Sequence, residues 1–281
     1  MKPISVGLLF AITSCVPGIS GYAGTFVEKR ADGLADPAGL SKYGFTGVIS
    51  DPIHRPSYIG AYDRRSRNPY WIAEHITAES LAKSTGDPSA AQYHEDTTIP
   101  ELFRALLKDY ARSGYDHGNM MPVSDGRWDQ EATNEIFTLS NMCPQVGKGF
   151  NRGYWAEFEK FCRGLTKVYS SVRIVTGPLY MPIQEGSKWV MKYEIIGNPP
   201  NVAVPTHFFK VIFAEGKGEA VALGSFVLPN KAIDNSTPLE SFHTPLEAIE
   251  KASGLVFASD LERNQGHVKP LCSEVECKIG G

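Results

Sequence analysis

The strongest signal for the fold of this chain lies between residues 114 and 122, which read Gly114-Tyr115-Asp116-His117-Gly118-Asn119-Met120-Met121-Pro122. The segment places acidic, imidazole and amide side chains next to an apolar pair. In an extended strand, residues two apart share a face, so Asp116 and Gly118 point one way while His117 and Asn119 point the other. The pattern predicts a short strand that carries polar side chains beside an apolar neighbour.

Amide and hydroxyl side chains are dense in the stretch that follows, at Asn134, Ser140, Asn141, Gln145 and Asn151. One interpretation is that they cap turns and satisfy loop backbone groups. The other starts from Asn151, where a predicted helix begins, and from Glu159, which lies two turns later on much the same side. Asn151 is then either the helix N-cap or an oxygen ligand for a hard cation such as magnesium, which prefers oxygen ligands and retained waters.

The hydrophobic periodicity along the rest of the chain indicates a mixture of strands and helices. Strands are predicted over residues 70–76, 134–139, 172–176, 190–196, 207–213 and 221–228. Helices are predicted over residues 101–110, 151–169 and 245–252. Because most of the strands are consecutive late in the chain, the fold class is predicted to be α+β.

Composition allows one sizeable core, since 42% of the 281 residues are apolar. The net charge of −3 argues mildly against a nucleic-acid partner, but the distribution of charge matters more than its sum. Basic residues outnumber acidic ones between residues 148 and 173, and a second basic cluster contains Arg64, Arg65 and Arg67. The chain contains no glycine-rich phosphate loop, no nucleophile elbow and no H-E-x-x-H motif, which excludes those enzyme classes.

The N-terminus has the pattern of a secretory signal peptide. Lys2 precedes an apolar run over residues 4–15, and small residues follow it. The run is short for a membrane span, so no stable transmembrane segment is predicted. Cys272 and Cys277 are close enough in sequence to form a disulfide, although their spacing alone does not establish one.

Six longer motifs carry a resemblance to a known family. They are Arg67-Asn68-Pro69-Tyr70-Trp71, Ser113-Gly114-Tyr115-Asp116, Phe137-Thr138-Leu139-Ser140-Asn141-Met142-Cys143-Pro144-Gln145, Phe150-Asn151-Arg152-Gly153-Tyr154-Trp155, Thr176-Gly177-Pro178-Leu179-Tyr180 and Ala203-Val204-Pro205-Thr206-His207-Phe208-Phe209-Lys210. In these motifs the chain resembles the DNA/RNA non-specific endonuclease family, and most closely its fungal mitochondrial endonuclease G members. The resemblance covers roughly residues 43–257.

The resemblance implies a ββα-metal (His-Me finger) nuclease core on a central, mostly antiparallel sheet. It also implies Mg²⁺, with Mn²⁺ as the alternative cofactor, and DNA and RNA as substrates. Asn151 matches the metal-ligand asparagine of the family, and Glu159 matches the helix acid that holds metal-bound waters. Asn141 matches an asparagine that supports the site, and Arg152 and Gln145 are candidates for support or substrate binding.

The signature of the family departs from its usual form in this chain. Where the family has Asp-Arg-Gly-His, with the histidine as general base, residues 116–119 read Asp116-His117-Gly118-Asn119. An amide accepts a hydrogen bond from water but takes no proton, whereas a neutral imidazole does. The catalytic candidates are therefore Asn119 to orient water, His117 as a relocated base, and Asp116. Upstream, Asp87-Pro88 stands where the family often has Asp-Arg.

Three hypotheses follow from this sequence. The first is a magnesium-dependent, sequence-nonspecific endonuclease with an altered base site. The second is a catalytically weak or inactive relative that binds nucleic acid, and the third is a secreted protein-interaction module on a nuclease scaffold. Family members often form dimers, and the sequence leaves a homodimer open.

The predicted organisation has four parts. Residues 1–23 are a signal peptide or targeting segment, and residues 24–44 an extended lead-in. The nuclease domain spans residues 45–260, and residues 261–281 form a polar tail. The N-terminal segment predicts a secretory destination, whereas the family resemblance predicts the mitochondrial intermembrane space or inner membrane.

Overall fold

The computed structural model of the chain describes residues 51–216, 220–257, 259 and 268–280. The predicted targeting segment 1–23, the lead-in 24–44 and residues 261–267 of the predicted tail lie outside this part. No helix within the described residues is both long and apolar enough to cross a membrane.

The described residues form thirteen strands and six α-helices. The strands are β1 Asp51–His54, β2 Tyr58–Asp63, β3 Asn68–Ile76, β4 Tyr115–Asn119, β5 Met142–Val146, β6 Ser171–Leu179, β7 Ile183–Glu185, β8 Lys188–Val190, β9 Ile195–Ile196, β10 Val202–Ala203, β11 His207–Glu215, β12 Val221–Pro229 and β13 Val268–Pro270. The helices are α1 Ala78–Ala82, α2 Leu107–Tyr110, α3 Gln130–Ile136, α4 Trp155–Leu165, α5 Leu246–Ser253 and α6 Leu271–Glu274.

A seven-stranded sheet in the order β1-β2-β3-β6-β11-β12-β13 organises the molecule. Its pairings are antiparallel except for the last, in which β12 and β13 run parallel. Strand β11 pairs along its whole length with β6 on one side and β12 on the other. The α+β class and the mostly antiparallel central sheet predicted from the sequence are thus confirmed.

Alternation along the strands divides the core between the two faces of this sheet. On β11, Phe208 and Ile212 belong to the face covered by α4, which contributes Trp155 and Phe158. The intervening residues Phe209, Val211 and Phe213 belong to the opposite face, covered by Ile249 of α5. The central strands are therefore buried on both sides.

Two local predictions differ from the structure. Residues 130–136 form α3 and not a strand over 134–139, because Asp129 is an N-cap whose carboxylate accepts from the Ala132 amide at 2.7 Å. The predicted helix over 101–110 is divided into a 3₁₀ turn, Glu101–Phe103, and α2. Between them the Ala105 amide donates to the Tyr62 hydroxyl at 3.0 Å, a tertiary bond that replaces a helical one.

Two further elements are shorter than predicted. The strand predicted over 190–196 is divided between the end of β8 and the two residues of β9. The helix predicted over 151–169 becomes α4 only from Trp155, after an irregular π-helical segment, Gly147–Tyr154. At the C-terminal end, Cys272 and Cys277 are joined by a disulfide.

Charged residues lie buried where α4 meets the sheet. Glu74 of β3, Asp125 and Lys210 of β11 are each no more than 1% exposed. Lys210 Nζ donates to Thr176 Oγ1 at 2.9 Å, and Arg163 of α4 donates to Asp125 at 3.0 Å. Burial, reinforced by the neighbouring Asp125 carboxylate, raises the pKa of Glu74 well above its usual value. Because Arg163 pairs with Asp125, Glu74 is the member of this carboxyl pair that we expect to hold a proton.

Glu74→Gln is expected to stabilise the protein increasingly as pH rises. The native state keeps a proton on Glu74 that the unfolded chain releases above its ordinary pKa of 4.5, so this contribution to stability falls as pH increases. The loss is at most about 1.4 kcal/mol per pH unit. Glutamine is neutral in both states and keeps a donor for Asp125. The melting temperature of the variant minus that of the wild type should grow between about pH 5 and pH 8.

The matched control is Glu79→Gln, at an exposed position of α1. Its melting-temperature difference from the wild type should be small and should not change with pH. A Glu74→Gln difference that is equally flat would contradict the assignment of a buried proton.

Candidate functional site

The strand predicted around Asp116 forms a separate two-stranded sheet with β5. The antiparallel register places Asp116 opposite Gln145 and Asn119 opposite Met142. Gln145 is fully buried, and its side chain lies directly over Gly118, where a Cβ would come within 2.2 Å of the Gln145 Cδ. Glycine at 118 is therefore a steric requirement of this strand pair.

The irregular segment before α4 brings Asn151 to β4. Gly149 has φ +83, and its carbonyl accepts from the Ile233 amide at 3.0 Å, so the chain bends before it enters the helix. Asn151 Nδ2 then donates to Asp116 Oδ2 at 3.0 Å, and Arg152 Nε lies 3.1 Å from the same oxygen. Because its amide nitrogen is committed to Asp116, the Oδ1 of Asn151 is the atom left to meet a ligand.

Asn141 and Asn119 both fix the turn that follows β4. Asn141 is fully buried, accepts from the Met121 amide at 2.9 Å, and donates to the carbonyls of Met121 and Ile136. Asn119 Nδ2 also donates to the Met121 carbonyl, at 2.8 Å. This bond turns the amide nitrogen of Asn119 toward the backbone and leaves its oxygen as an acceptor.

His117 lies between two tyrosine rings. The ring centroids of Tyr93 and Tyr110 are 4.3 Å and 4.2 Å from that of His117, with interplanar angles of 16° and 19°. Burial lowers the pKa of His117, while the Asp116 carboxylate opposes the shift, so the imidazole is neutral near pH 7. Among the described residues, no partner meets its buried Nε2 atom.

Glu159 lies on α4 beside the buried charges described above. Part of its surface stays accessible, but protein atoms surround its carboxyl group, and this burial raises its pKa to about 7. The positive charges of Lys210 and Arg163 pull the pKa down, and Asp125 pushes it up. Glu159 can therefore exchange a proton in the physiological range.

Comparison with known proteins identifies the family of this chain. The profile of the DNA/RNA non-specific endonuclease family matches residues 36–264. The chain belongs to the DNA/RNA non-specific endonuclease family. It is similar to the mitochondrial nuclease of Saccharomyces cerevisiae, with 51% identity over 251 residues that cover 87% of this chain and 76% of that protein.

Two more similarities extend the comparison. Mitochondrial endonuclease G of Bos taurus is 40% identical over 254 residues, which cover 90% of this chain and 84% of that protein. A chain in a crystal structure described as the EndoG/EndoGI complex superposes with a TM-score of 0.79 and 43% identity, covering 84% of this chain and 98% of its own length. The ββα-metal fold predicted from the sequence is confirmed by this likeness.

The donor set of this endonuclease-family site is compatible with a hard cation. The described residues contain no group of three or more His, Cys, Asp and Glu side chains that could hold a metal ion. Magnesium, however, is commonly held by one or two protein oxygens and several waters. Asn151 Oδ1 and the carboxyl group of Glu159 are oxygen atoms of the kind that magnesium prefers.

The upstream segment that departs from the expected family pattern, at Asp87 and Pro88, forms a capped turn. Asp87 is the N-cap of a 3₁₀ turn, Pro88–Ala90, and its carboxylate accepts from the Ser89 amide and hydroxyl at 2.9 and 2.7 Å. Position 88 thus carries no cationic side chain. Nearby, Asp96 is buried and accepts from Arg55 and Ser140, which makes it a structural anchor.

Sequence reasoning did not identify Tyr93 and Tyr110 as neighbours of His117. Tyr93 lies outside every predicted strand and helix, and Tyr110 ends the helix predicted over residues 101–110. Periodicity does not report which distant aromatic rings meet a strand residue, so no pattern in the chain indicated the stack.

Tyr93→Ala is expected to raise the pKa of His117 toward 6.5, because it removes one wall of the stack and rehydrates the imidazole. In the wild type the folded pKa is depressed, so the stability that the neutral ring contributes is present above pH 6.5 and is lost as pH falls. An NMR titration of the His117 Cε1 proton measures the shift. Tyr193→Ala, at an exposed tyrosine elsewhere, should leave the titration unchanged. An unchanged His117 pKa in Tyr93→Ala would show that the stack does not cause the depression.

Proposed function

We propose that the chain is a magnesium-dependent endonuclease that hydrolyses phosphodiester bonds of DNA and RNA without sequence specificity, with an altered general-base site. The observation that carries the proposal is the Asn151–Asp116 hydrogen bond of 3.0 Å, which engages the amide nitrogen of Asn151 and leaves its oxygen as the atom able to bind a cation. The names of the similar proteins, which are nucleases, support the same reaction class. Manganese is the alternative cofactor.

Asn151 and Glu159 are the residues that would hold the metal. A cation bound there would neutralise charge on the phosphate and on the leaving oxygen. Arg152 is 68% exposed beside Asp116, so its guanidinium is available to a substrate phosphate. Asn141 and Gln145 keep the strand pair and its turn in place.

Removal of a proton from water is the weak step of this site. Asn119 orients a water molecule through its oxygen but accepts no proton. His117 is in the neutral form that a base requires, yet its Nε2 is enclosed in the tyrosine stack, so proton transfer to that atom requires the ring to move. The absence of a positioned general base typically lowers rates about 10²- to 10⁴-fold.

The enclosure of His117 between Tyr93 and Tyr110 also favours a second function, nucleic-acid binding with little or no cleavage. His117 takes the place of an arginine in the family signature, and Pro88 stands where the family often has another. Both changes remove cationic groups from phosphate-contacting positions while Asn151 and Glu159 are kept. A binding protein of this kind would bind nucleic acid with affinity that falls steeply with salt.

Purified protein is expected to nick supercoiled plasmid slowly in the presence of magnesium and to stop when a chelator is added. Asn151→Ala should abolish nicking, since the metal loses its direct protein ligand. Lys160→Ala, at an exposed residue of α4, is the control that should nick like the wild type. No cleavage over hours with either magnesium or manganese, together with retained salt-sensitive binding, would favour the second function; no binding would favour a protein-interaction module.

Asn119→His is expected to raise the nicking rate about 10²- to 10⁴-fold, because it restores an imidazole where the family has its base. His117→Phe keeps a flat ring in the stack but cannot accept a proton. A large loss of activity in His117→Phe identifies His117 as the present base. If His117→Phe retains full activity, His117 has no role as the base.

We propose the mitochondrion as the compartment, because relatives at 51% identity are named mitochondrial nucleases. The secretory route remains the alternative on the pattern of residues 1–23. A full-length chain with a C-terminal tag should localise with a mitochondrial marker. Asn235-Ser236-Thr237 is a glycosylation sequon at an exposed position, so a glycosidase-sensitive form of the tagged chain would instead establish passage through the secretory pathway.

A further inference from the structure

Two segments of the chain lie side by side at the candidate cation site, and we call them together the basic seam: residues 146–152 and 230–233. Two hydrogen bonds join them. Asn230 Oδ1 accepts from the Val146 amide at 2.9 Å, and the Ile233 amide donates to the Gly149 carbonyl at 3.0 Å. Because these bonds lie at either end of the junction, the residues between them are held next to one another.

Lys148 stands on a tight turn within the basic seam. Its φ and ψ of −71° and 126°, followed by 83° and −10° at Gly149, are those of a type II β-turn, whose third position favours glycine. Ala232 lies so close to the turn that a Cβ added to Gly149 would be 2.7 Å from the Ala232 Cβ. The turn is therefore fixed against the second segment, with the Lys148 side chain exposed.

The basic seam carries a local excess of positive charge on a chain whose net charge is −3. It contains three cations, Lys148, Arg152 and Lys231, and no acidic residue. All three side chains are exposed. Arg152 pairs with Asp116, whereas neither lysine forms an ion pair with a residue in the described part of the chain. Two positive charges are thus left for a ligand.

The position of these charges indicates an extended anionic ligand. Asn151 and Arg152, which the proposed function places at the scissile phosphate, belong to the same seam as the two lysines. A nucleic-acid strand with one phosphate at Asn151 carries its next phosphates along the surface on either side. Lysine binds a phosphate as a flexible point charge and needs no fixed geometry. Phosphate contacts also carry no sequence information, which suits cleavage without sequence specificity.

We propose that Lys148 and Lys231 bind the phosphates that flank the scissile phosphate, so that the basic seam holds the backbone of a DNA or RNA strand across the site. This inference rests on the proposed function, because it requires a strand at Asn151. Neither lysine belongs to the six motifs that carry the family resemblance. Both residues determine affinity and strand position and take no part in breaking the bond.

Fluorescence anisotropy of a labelled mixed-sequence duplex, with a chelator present to prevent cleavage, tests the proposal. Lys148→Gln combined with Lys231→Gln should weaken binding at least about tenfold at about 0.15 M salt and should reduce the slope of log affinity against log salt by about 1.8. Lys148→Arg combined with Lys231→Arg keeps both charges and should bind like the wild type. Lys167→Gln combined with Lys251→Gln, at two exposed positions outside the seam, should leave the slope unchanged.

The results distinguish this inference from the proposed function on which it rests. A wild type that binds with a steep salt slope, together with a Lys148 and Lys231 glutamine variant of the same slope and affinity, would overturn the inference and leave the proposed function standing. If the arginine variant loses as much affinity as the glutamine variant, the lysines act through the fold of the turn and the inference is wrong. A wild type that binds no nucleic acid would overturn both.

Discussion

The hydrogen bond between Asn151 and Asp116 is the contact on which the candidate site depends. It joins the β4 strand to the irregular segment that follows β5 and leads into α4. The approach is close, because a Cβ on Gly147 would meet both Arg152 Nη2 at 2.4 Å and Asp116 Oδ1 at 2.7 Å. Without the carboxylate of Asp116, the amide of Asn151 would be free to rotate, and its oxygen would no longer be held in a fixed position.

The buried charges beneath α4 act as the second support of the same arrangement. Arg163 bonds Asp125, which follows the signature strand, and Lys210 lies 4.8 Å from the centroid of a ring of Trp155 on the helix. Helix, sheet and post-strand turn are therefore tied through charged groups that are costly to leave unpaired. Glu159 lies among these groups, and burial raises its pKa to about 7. Its proposed role of holding water near a cation therefore depends on its protonation state.

The sequence predicted those elements whose residue pattern follows directly from which strand faces are buried. Nearly continuous apolar runs in β11 and β12 predicted those strands, because both faces of the sheet are buried there, and the motif around residues 116–119 predicted β4. The sequence did not predict features that contacts between distant segments determine. The Tyr62 hydroxyl interrupts the helix expected over 101–110, and the disulfide of Cys272 needed the observed fold. The stack around His117 belongs to the same class, since its rings come from distant segments.

The two departures from the signature that the family resemblance implies differ in what each would remove. The slot between Tyr93 and Tyr110 accepts a flat group, with rings near 4.2–4.3 Å on either side. A guanidinium is also planar and stacks on aromatic faces, so His117 in place of the family's arginine exchanges a charged flat group for a neutral one while keeping the packing. At position 119 an amide replaces an imidazole, and the Met121 carbonyl holds it. Under the proposed function, the first change would reduce attraction for phosphate, whereas the second would remove proton transfer. Activity and binding should therefore depend on different positions of the same strand.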